Sequence, residues 1–401
     1  EKIRGDFPIL SRILPGGRRL TYLDNGATSQ KPQVVINRLT RFFTQENANI
    51  HRGLHHLSAE ATTNYEAARH TIAQALRLPA DSALVFTRGA TESINLVAYG
   101  LAAELRTGDE IIITLMEHHA NFVPWQVLSQ KSGATLRFVG IRDNGELDLD
   151  EWKAAFNAKT RVAAFTQVSN ALGTVNPARE MAAFARERDV ITLVDGAQAV
   201  PHGPVDLTAL DCDFFAFSGH KVFGPDGIGV LAGKAEILNR FPPFQSGGDM
   251  IDKVTVAGTT YREAPERFEA GTPHISGTLG LATAFEYLAT IDWEAAHQHE
   301  TRLLVEATER LKAIGGVKII GEAPGKAPII SFIMADAHPQ DIATILDQVG
   351  VAIRTGHHCA QPLMTHLGIT GTARASFAFY NNHDDVEALI EGMLKVKKLF
   401  S

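Results

Sequence analysis

Two residues of this 401-residue chain have the setting of a nucleophile. Lys221 closes Ser218-Gly219-His220-Lys221, directly after the apolar run Phe214-Phe215-Ala216-Phe217. An amine set among apolar neighbours loses hydration, which lowers its pKa and frees it for Schiff-base chemistry. A solvated loop lysine is the ordinary alternative. Cys359 follows Arg354-Thr355-Gly356-His357-His358, an electropositive run that favours a thiolate. A buried core thiol is the commonest state of a free cysteine. Against it, Gly356, His357, His358 and Gln361 are loop residues and Pro362 ends the local structure. A zinc site of His357, His358 and Cys359 is a further alternative, opposed by the rarity of adjacent ligands and the lack of a second ligand pair. The other cysteine, Cys212, lies between Asp211 and Asp213 and reads as a structural thiol.

Three more segments carry groups that complement an amine nucleophile. Leu84-Val85-Phe86 is followed by Thr87-Arg88-Gly89-Ala90-Thr91-Glu92, a small-residue turn leading into a helix. Such a turn presents backbone N–H groups and a positive dipole end to a phosphate, or serves as a plain cap with the Thr91 hydroxyl. Ile112-Ile113 is followed by Glu117-His118-His119-Ala120-Asn121, where one histidine can stack on a flat ring. A surface histidine pair or metal ligands are the alternatives, but adjacent histidines point apart and no His-Glu-x-x-His spacing occurs. Thr192-Leu193-Val194 is followed by Asp195. A buried acid is costly unless it meets a cation, such as a protonated pyridine nitrogen; otherwise it is a helix cap. A phosphate cup, a ring stacker, an acid and a lysine on successive strand ends are the set that pyridoxal phosphate needs. No G-x-G-x-x-G after a strand and no G-x-x-x-x-G-K-[ST] occurs, so dinucleotides and triphosphates lose ground.

Those groups need a scaffold that brings strand ends together. Apolar runs at Ala83-Leu84-Val85-Phe86, Glu110-Ile111-Ile112-Ile113, Arg161-Val162-Ala163-Ala164-Phe165, Ile191-Thr192-Leu193-Val194, Phe214-Phe215-Ala216-Phe217 and Gly227-Ile228-Gly229-Val230-Leu231 read as strands. Helical patterns at 91–105, 123–132 and 179–187 lie between them. Continuous apolar strands separated by helices predict a mostly parallel sheet covered on both faces, with chemistry at the strands' carboxyl ends. The pattern changes after about Gly280. The stretch 286–314 reads as one long helix or two abutting ones, 329–333 and 351–354 as strands, and 384–400 as a final helix. We expect a large sheet domain over 23–285 and a smaller α+β lobe from 1–22 and 286–401.

Bulk properties narrow the class. Hydrophobic residues make up 45% and charged residues 21%, with a net charge of -7. No run of basic residues with interleaved aromatics suggests nucleic acid. No apolar run approaches the length of a membrane span. Glu1 to Leu10 lack a leader pattern, and two cysteines argue for a reducing compartment, so a cytoplasmic protein is expected.

Several segments together resemble one family. They are Tyr22-Leu23-Asp24-Asn25-Gly26-Ala27-Thr28, His51-Arg52-Gly53, Arg88-Gly89-Ala90-Thr91-Glu92, Met116-Glu117-His118-His119-Ala120-Asn121, Val168-Ser169-Asn170, Val194-Asp195-Gly196-Ala197-Gln198, Ser218-Gly219-His220-Lys221, Arg267-Phe268-Glu269-Ala270-Gly271-Thr272-Pro273 and Arg354-Thr355-Gly356-His357-His358-Cys359-Ala360. The chain resembles the class V aminotransferase branch of α/β fold-type I pyridoxal-phosphate enzymes, and within it the group II, Suf-type cysteine desulfurases, also described as selenocysteine lyase-like. The resemblance implies removal of sulfur from L-cysteine, with L-selenocysteine as an alternative substrate, to give L-alanine and a persulfide on Cys359. It makes Lys221 the Schiff-base lysine, Asp195 the partner of the ring nitrogen and His118 the ring stacker and a catalytic group. Asn170 and Gln198 would lie near the ring hydroxyl. Thr91, Ser218 and His220 would hold the phosphate, joined by Thr272 of a second subunit in a homodimer. Arg374 would bind the substrate carboxylate, with Arg354, His51 and Asn170 also on the substrate side. No metal is implied. The short loop before Cys359 resembles group II, which implies a small SufE-type or SufU-type acceptor that takes the sulfur towards iron–sulfur cluster assembly. The chain departs from the family at Gln245, where many Suf-type members carry an acid near the partner's site.

Overall fold

The computed structural model describes residues 3–400. Its main sheet has seven strands: β1 (Ser82–Thr87), β2 (Glu110–Thr114), β3 (Thr135–Val139), β4 (Thr160–Thr166), β5 (Ile191–Asp195), β6 (Phe214–Ser218) and β7 (Gly229–Lys234). They lie in the order β1-β7-β6-β5-β4-β2-β3. Neighbours from β6 to β3 pair in parallel, and β7 runs antiparallel to both β1 and β6. The connection 219–228 is too short for the crossover that a parallel return needs, so β7 must run back.

The strands are apolar because both faces are covered. Ala163 and Phe165 pack with Ile112, Val194 and Phe217 on one face. Val162 and Ala164, one step along the pleat, pack with Ile111, Ile113, Leu193 and Phe214 on the other. The helices Ala90–Leu101, Val123–Ser132, Ala178–Arg186 and Ile275–Leu288 carry the facing residues.

A second, antiparallel sheet holds β8 (Val317–Ile320), β9 (Ile329–Met334), β10 (Arg354–Gly356) and β11 (Thr372–Ser376), in the order β8-β9-β11-β10. Its core combines Phe332 and Ala373 with Leu303 of the helix Trp293–Lys312 and Leu389 of the helix His383–Phe400. Leu23 belongs to the same core, and the strand Thr21–Tyr22 pairs in parallel with Val351–Ala352. Residues 1, 2 and 401 of the expected smaller lobe lie outside the described residues.

One expected element is resolved between its two readings and another differs from expectation. The stretch 286–314 is two helices, Ile275–Leu288 and Trp293–Lys312. The Asp292 carboxylate accepts the Ala295 N–H at 3.1 Å and restarts the second of them as its cap. The expected strand over 351–354 is split, because Val351–Ala352 pairs with Thr21–Tyr22 while Arg354–Gly356 pairs with β11. Among the described residues no helix is long and apolar enough to cross a membrane.

Thr87, Thr114, Thr166, Asp195 and Ser218 end their strands on one edge of the sheet, and Gly229 begins β7 there. A Cβ on Gly229 would lie 2.4 Å from the Gly89 Cα, so only glycine lets the turn after β1 close down on this edge.

Candidate active site

A cavity of about 190 Å³ opens at that edge. Thr91, His118, Asn170, Asp195, Gln198, Ser218, His220 and Lys221 line it from the large sheet, and Arg354, Cys359 and Arg374 from the second sheet and its loops. His51 and Thr272 do not. His51 stands on an exposed loop, its Nε2 2.9 Å from Glu66 Oε1. Thr272 lines a separate hollow together with Gln245 and Glu269. Gln245 donates to Glu92 Oε1 at 3.4 Å, where an acid would meet a like charge.

Lys221 ends a single turn, Gly219–Lys221, that follows β6. Burial lowers its pKa, and Asp195 opposes that shift. Burial likewise raises the pKa of Asp195, which is 4% exposed. Asp195 Oδ1 accepts the Ala197 N–H at 2.9 Å, and among the described residues no cation lies within ion-pair distance of it. A buried acid facing a cavity without a fixed cation suits a cationic ring nitrogen. His118 Nδ1 accepts the Ala120 N–H at 3.0 Å, which leaves the ring's proton on Nε2. Burial, then Lys221, pushes its pKa down to about 3, so the ring is neutral near pH 7.

The helix Ala90–Leu101 begins at the cavity wall, and Ser218 Oγ accepts the Ala90 N–H at 2.8 Å. Thr91, Ser218 and His220 surround this N-terminus with donors. Burial pushes the His220 pKa down to about 4. Gln198 donates to the Gly26 carbonyl at 2.6 Å, and Asn170 to the His358 carbonyl at 2.7 Å.

Arg374, on β11, is 2% exposed. It donates to the Asn170 carbonyl at 2.7 Å and to Asp24 Oδ1 at 3.3 Å, and its Nε is buried without a partner. A buried donor with no acceptor is costly, so this one is suited to an incoming anion. Arg354 Nε lies 3.2 Å from Asp24 Oδ1. Asp24 thus orients both arginines, a role the sequence reading did not assign to it.

Glu117 was also missed. It directly precedes His118 and is fully buried, and its Oε1 takes the Thr114 hydroxyl at 2.5 Å and the Thr166 N–H at 3.0 Å. Its Oε2 takes the Asn121 amide at 2.6 Å, and burial pushes its pKa up to about 8. Its signal in the sequence was its place beside His118, yet an acid after a strand reads more simply as solvated.

Cys359 is partly exposed on the cavity wall. His358 turns away from it: its Nε2 lies 2.8 Å from Thr372 Oγ1. The soft donors beside Cys359 are therefore His357 and His119, whose ligand atoms all lie within 4.8 Å of one another and of the thiol. Cys212 does not line the cavity, and burial raises its pKa.

Residues 21–389 match the family model of aminotransferase class V. The chain is 46% identical over 400 residues to a probable cysteine desulfurase of Xylella fastidiosa, spanning 100% of this chain and 96% of that one. It is 48% identical over 398 residues to a cysteine desulfurase of Synechococcus elongatus, where it spans 63% of the relative's length. The fold matches that of the cysteine desulfurase CsdA of Escherichia coli with a TM-score of 0.92, at 38% identity and 98% coverage of that chain.

Proposed function

This chain belongs to the aminotransferase class V family, and from that premise we propose that it is a pyridoxal-phosphate-dependent cysteine desulfurase, converting L-cysteine to L-alanine. The carrying observation is that one cavity wall holds Cys359 together with Lys221 and Asp195. Transamination has no use for a thiol there, whereas sulfur removal needs an acceptor.

The donor set fits the cofactor: an unpaired buried acid for the ring nitrogen, a helix N-terminus with hydroxyls for the phosphate, and an amine of lowered pKa for the carbonyl. Pyridoxal phosphate supplies an electron sink for the amino acid's carbon chain. The chain's own groups do the rest. Asp195 would pair with the ring nitrogen, His118 would stack on the ring, and Thr91, Ser218 and His220 would hold the phosphate. Gln198 and Asn170 would lie near the ring hydroxyl. Arg374 takes the substrate carboxylate through its free Nε, with Arg354 beside it. A guanidinium matches a carboxylate in two places, which lysine cannot. Lys221 takes the substrate's α-proton at Nζ and later returns a proton to the product. The Cys359 thiolate attacks the substrate sulfur: an S–S bond forms, the substrate C–S bond breaks, and its electrons stay on the carbon side. A persulfide remains on Cys359.

We further propose a cytoplasmic homodimer in which Thr272, and with it His51, borders the partner's cavity. Residues 23–285 would act as the cofactor-binding body, with 1–22 and 286–401 as the lobe carrying Cys359. The acceptor is a small SufE-type or SufU-type protein feeding iron–sulfur cluster assembly, because a short loop reaches outward poorly. L-Selenocysteine presents its chalcogen to the same groups and is a second substrate. Light scattering at assay concentration is expected to give a dimer mass, and a fully active monomer would refute the composite site. The reading as a whole is tested by measuring alanine and sulfide from cysteine with and without such acceptors. Alanine should appear in amounts equal to sulfur removed, and transamination products without alanine would overturn it.

A further inference from the structure

The residue after His118 has no part in the cofactor site, yet it meets the nucleophile's loop twice. The His119 N–H donates to the Cys359 carbonyl at 2.6 Å. The Gln361 N–H donates to His119 Nε2 at 3.1 Å. These bonds hold the loop at Cys359 and two residues beyond it, from a different lobe of the fold. Up to and including the first of these points, His358 and Cys359 hold φ of 50° and 53°, a left-handed pair that residues with a Cβ adopt rarely. Within the loop, the Cys359 N–H donates to His357 Nδ1 at 3.1 Å. Asn170 holds the His358 carbonyl, and Thr372 meets its ring. The conformation persists because its surroundings impose it.

We propose that His119 is a positioning residue, whose neutral ring and backbone clamp the Cys359 loop so that the thiol faces the cavity. The inference rests on the reading of Cys359 as the sulfur acceptor. The ring can accept the Gln361 N–H only when Nε2 carries a lone pair, which places its proton on Nδ1. Burial, with His357 nearby, lowers the His119 pKa and favours that neutral state. The clamp needs no metal. The accepting nitrogens of His119 and His357 are already engaged by backbone N–H groups. Gln361 begins the helix Gln361–His366, so the ring also caps a helix from outside.

The test uses holoenzyme and reads the loop as well as turnover. In His119→Ala, amide exchange across 358–361 and alkylation of Cys359 by iodoacetamide should each rise about tenfold, the factor one lost hydrogen bond supports. The kcat for alanine formation should fall by a similar factor, with KM for cysteine and cofactor absorbance unchanged. His119→Gln, which sets an amide oxygen near the Nε2 position, should restore all three. Gln361→Pro removes the donor instead of the acceptor, at a first helical position that tolerates proline. It should reproduce the alanine variant, and the double variant should add nothing further. Unchanged exchange and alkylation in His119→Ala would overturn the proposal, as would a glutamine variant as impaired as alanine. Should His119→Ala not fold, Gln361→Pro decides alone by the same readouts. If the wild type makes no alanine from cysteine, the activity reading fails, while the exchange data still judge the clamp.

Discussion

Replacing Lys221 by alanine is expected to leave a folded protein that holds pyridoxal phosphate without a covalent bond and is nearly inactive. The fold should survive because Lys221 lines the cavity and ends a one-turn segment rather than a strand. Burial depresses its pKa, so the charged amine is not a stabilising group in the absence of a ligand. The cofactor should still bind, since Asp195, Ser218, His220 and the Ala90–Leu101 helix N-terminus are untouched. What is lost is the amine that attaches the cofactor and moves the substrate proton. Loss of proton transfer alone is worth roughly 10²–10⁴-fold in rate. Borohydride treatment followed by peptide mass spectrometry should fix the cofactor on the Lys221 peptide of the wild type and on no peptide of the variant. A variant with full-strength visible absorbance and a reducible covalent cofactor would mean that another amine does this work.

The parts that the sequence made legible are those in which one residue type can do one job at one place. Asp195 ends, and Lys221 closely follows, a strand whose unbroken apolar character announces burial on both faces, and β5 and β6 set them on the same cavity wall. The strands β4 and β2 were readable for the same reason. The edge strand β3 was not, because Thr135 and Arg137 are polar and only Val139 is fully buried. The strand β11 was hidden by its composition, small residues around a central arginine in Thr372-Ala373-Arg374-Ala375-Ser376, which satisfy no hydrophobic pattern although all five are buried. That gap bears on the site, since β11 carries Arg374, whose position beside Asp24 and Asn170 depends on pairing with Ile329–Met334. Glu117 and Asp24 escaped for a related reason. Asp24 orients Arg374 across a 350-residue step, and Glu117, besides its near neighbours Thr114 and Asn121, takes the Thr166 N–H 49 residues on; no local pattern encodes either distant partner. The break at 289–292 turned on a single cap, Asp292, within otherwise continuous helical periodicity.

Changing Cys359 to serine should separate cofactor binding from sulfur transfer. None of the groups proposed to bind the cofactor includes residue 359, so visible absorbance should match the wild type. Substrate cysteine should still bind, because Arg374 and Lys221 remain. Transfer should stop, with cysteine turnover reduced roughly 10³-fold or more, the scale on which loss of an enzyme's nucleophile is felt. A serine hydroxyl is scarcely ionised near neutral pH and cannot carry a persulfide. Cys212 offers no substitute, since burial holds its thiol protonated and it does not line the cavity. Selenocysteine should escape in part: its C–Se bond is weaker and selenium departs more readily, so it depends less on attack by a thiolate. The expected result is therefore split, with cysteine turnover lost and selenocysteine turnover partly kept. Mass spectrometry of wild-type enzyme exposed to cysteine should find one added sulfur on the peptide holding Cys359. Sulfur on Cys212 instead, or a serine variant that removes sulfur from cysteine at the wild-type rate, would show that the thiol on the cavity wall is not the acceptor. Equal loss with both substrates would show instead that the thiolate is needed for breaking the carbon–chalcogen bond whatever the leaving atom.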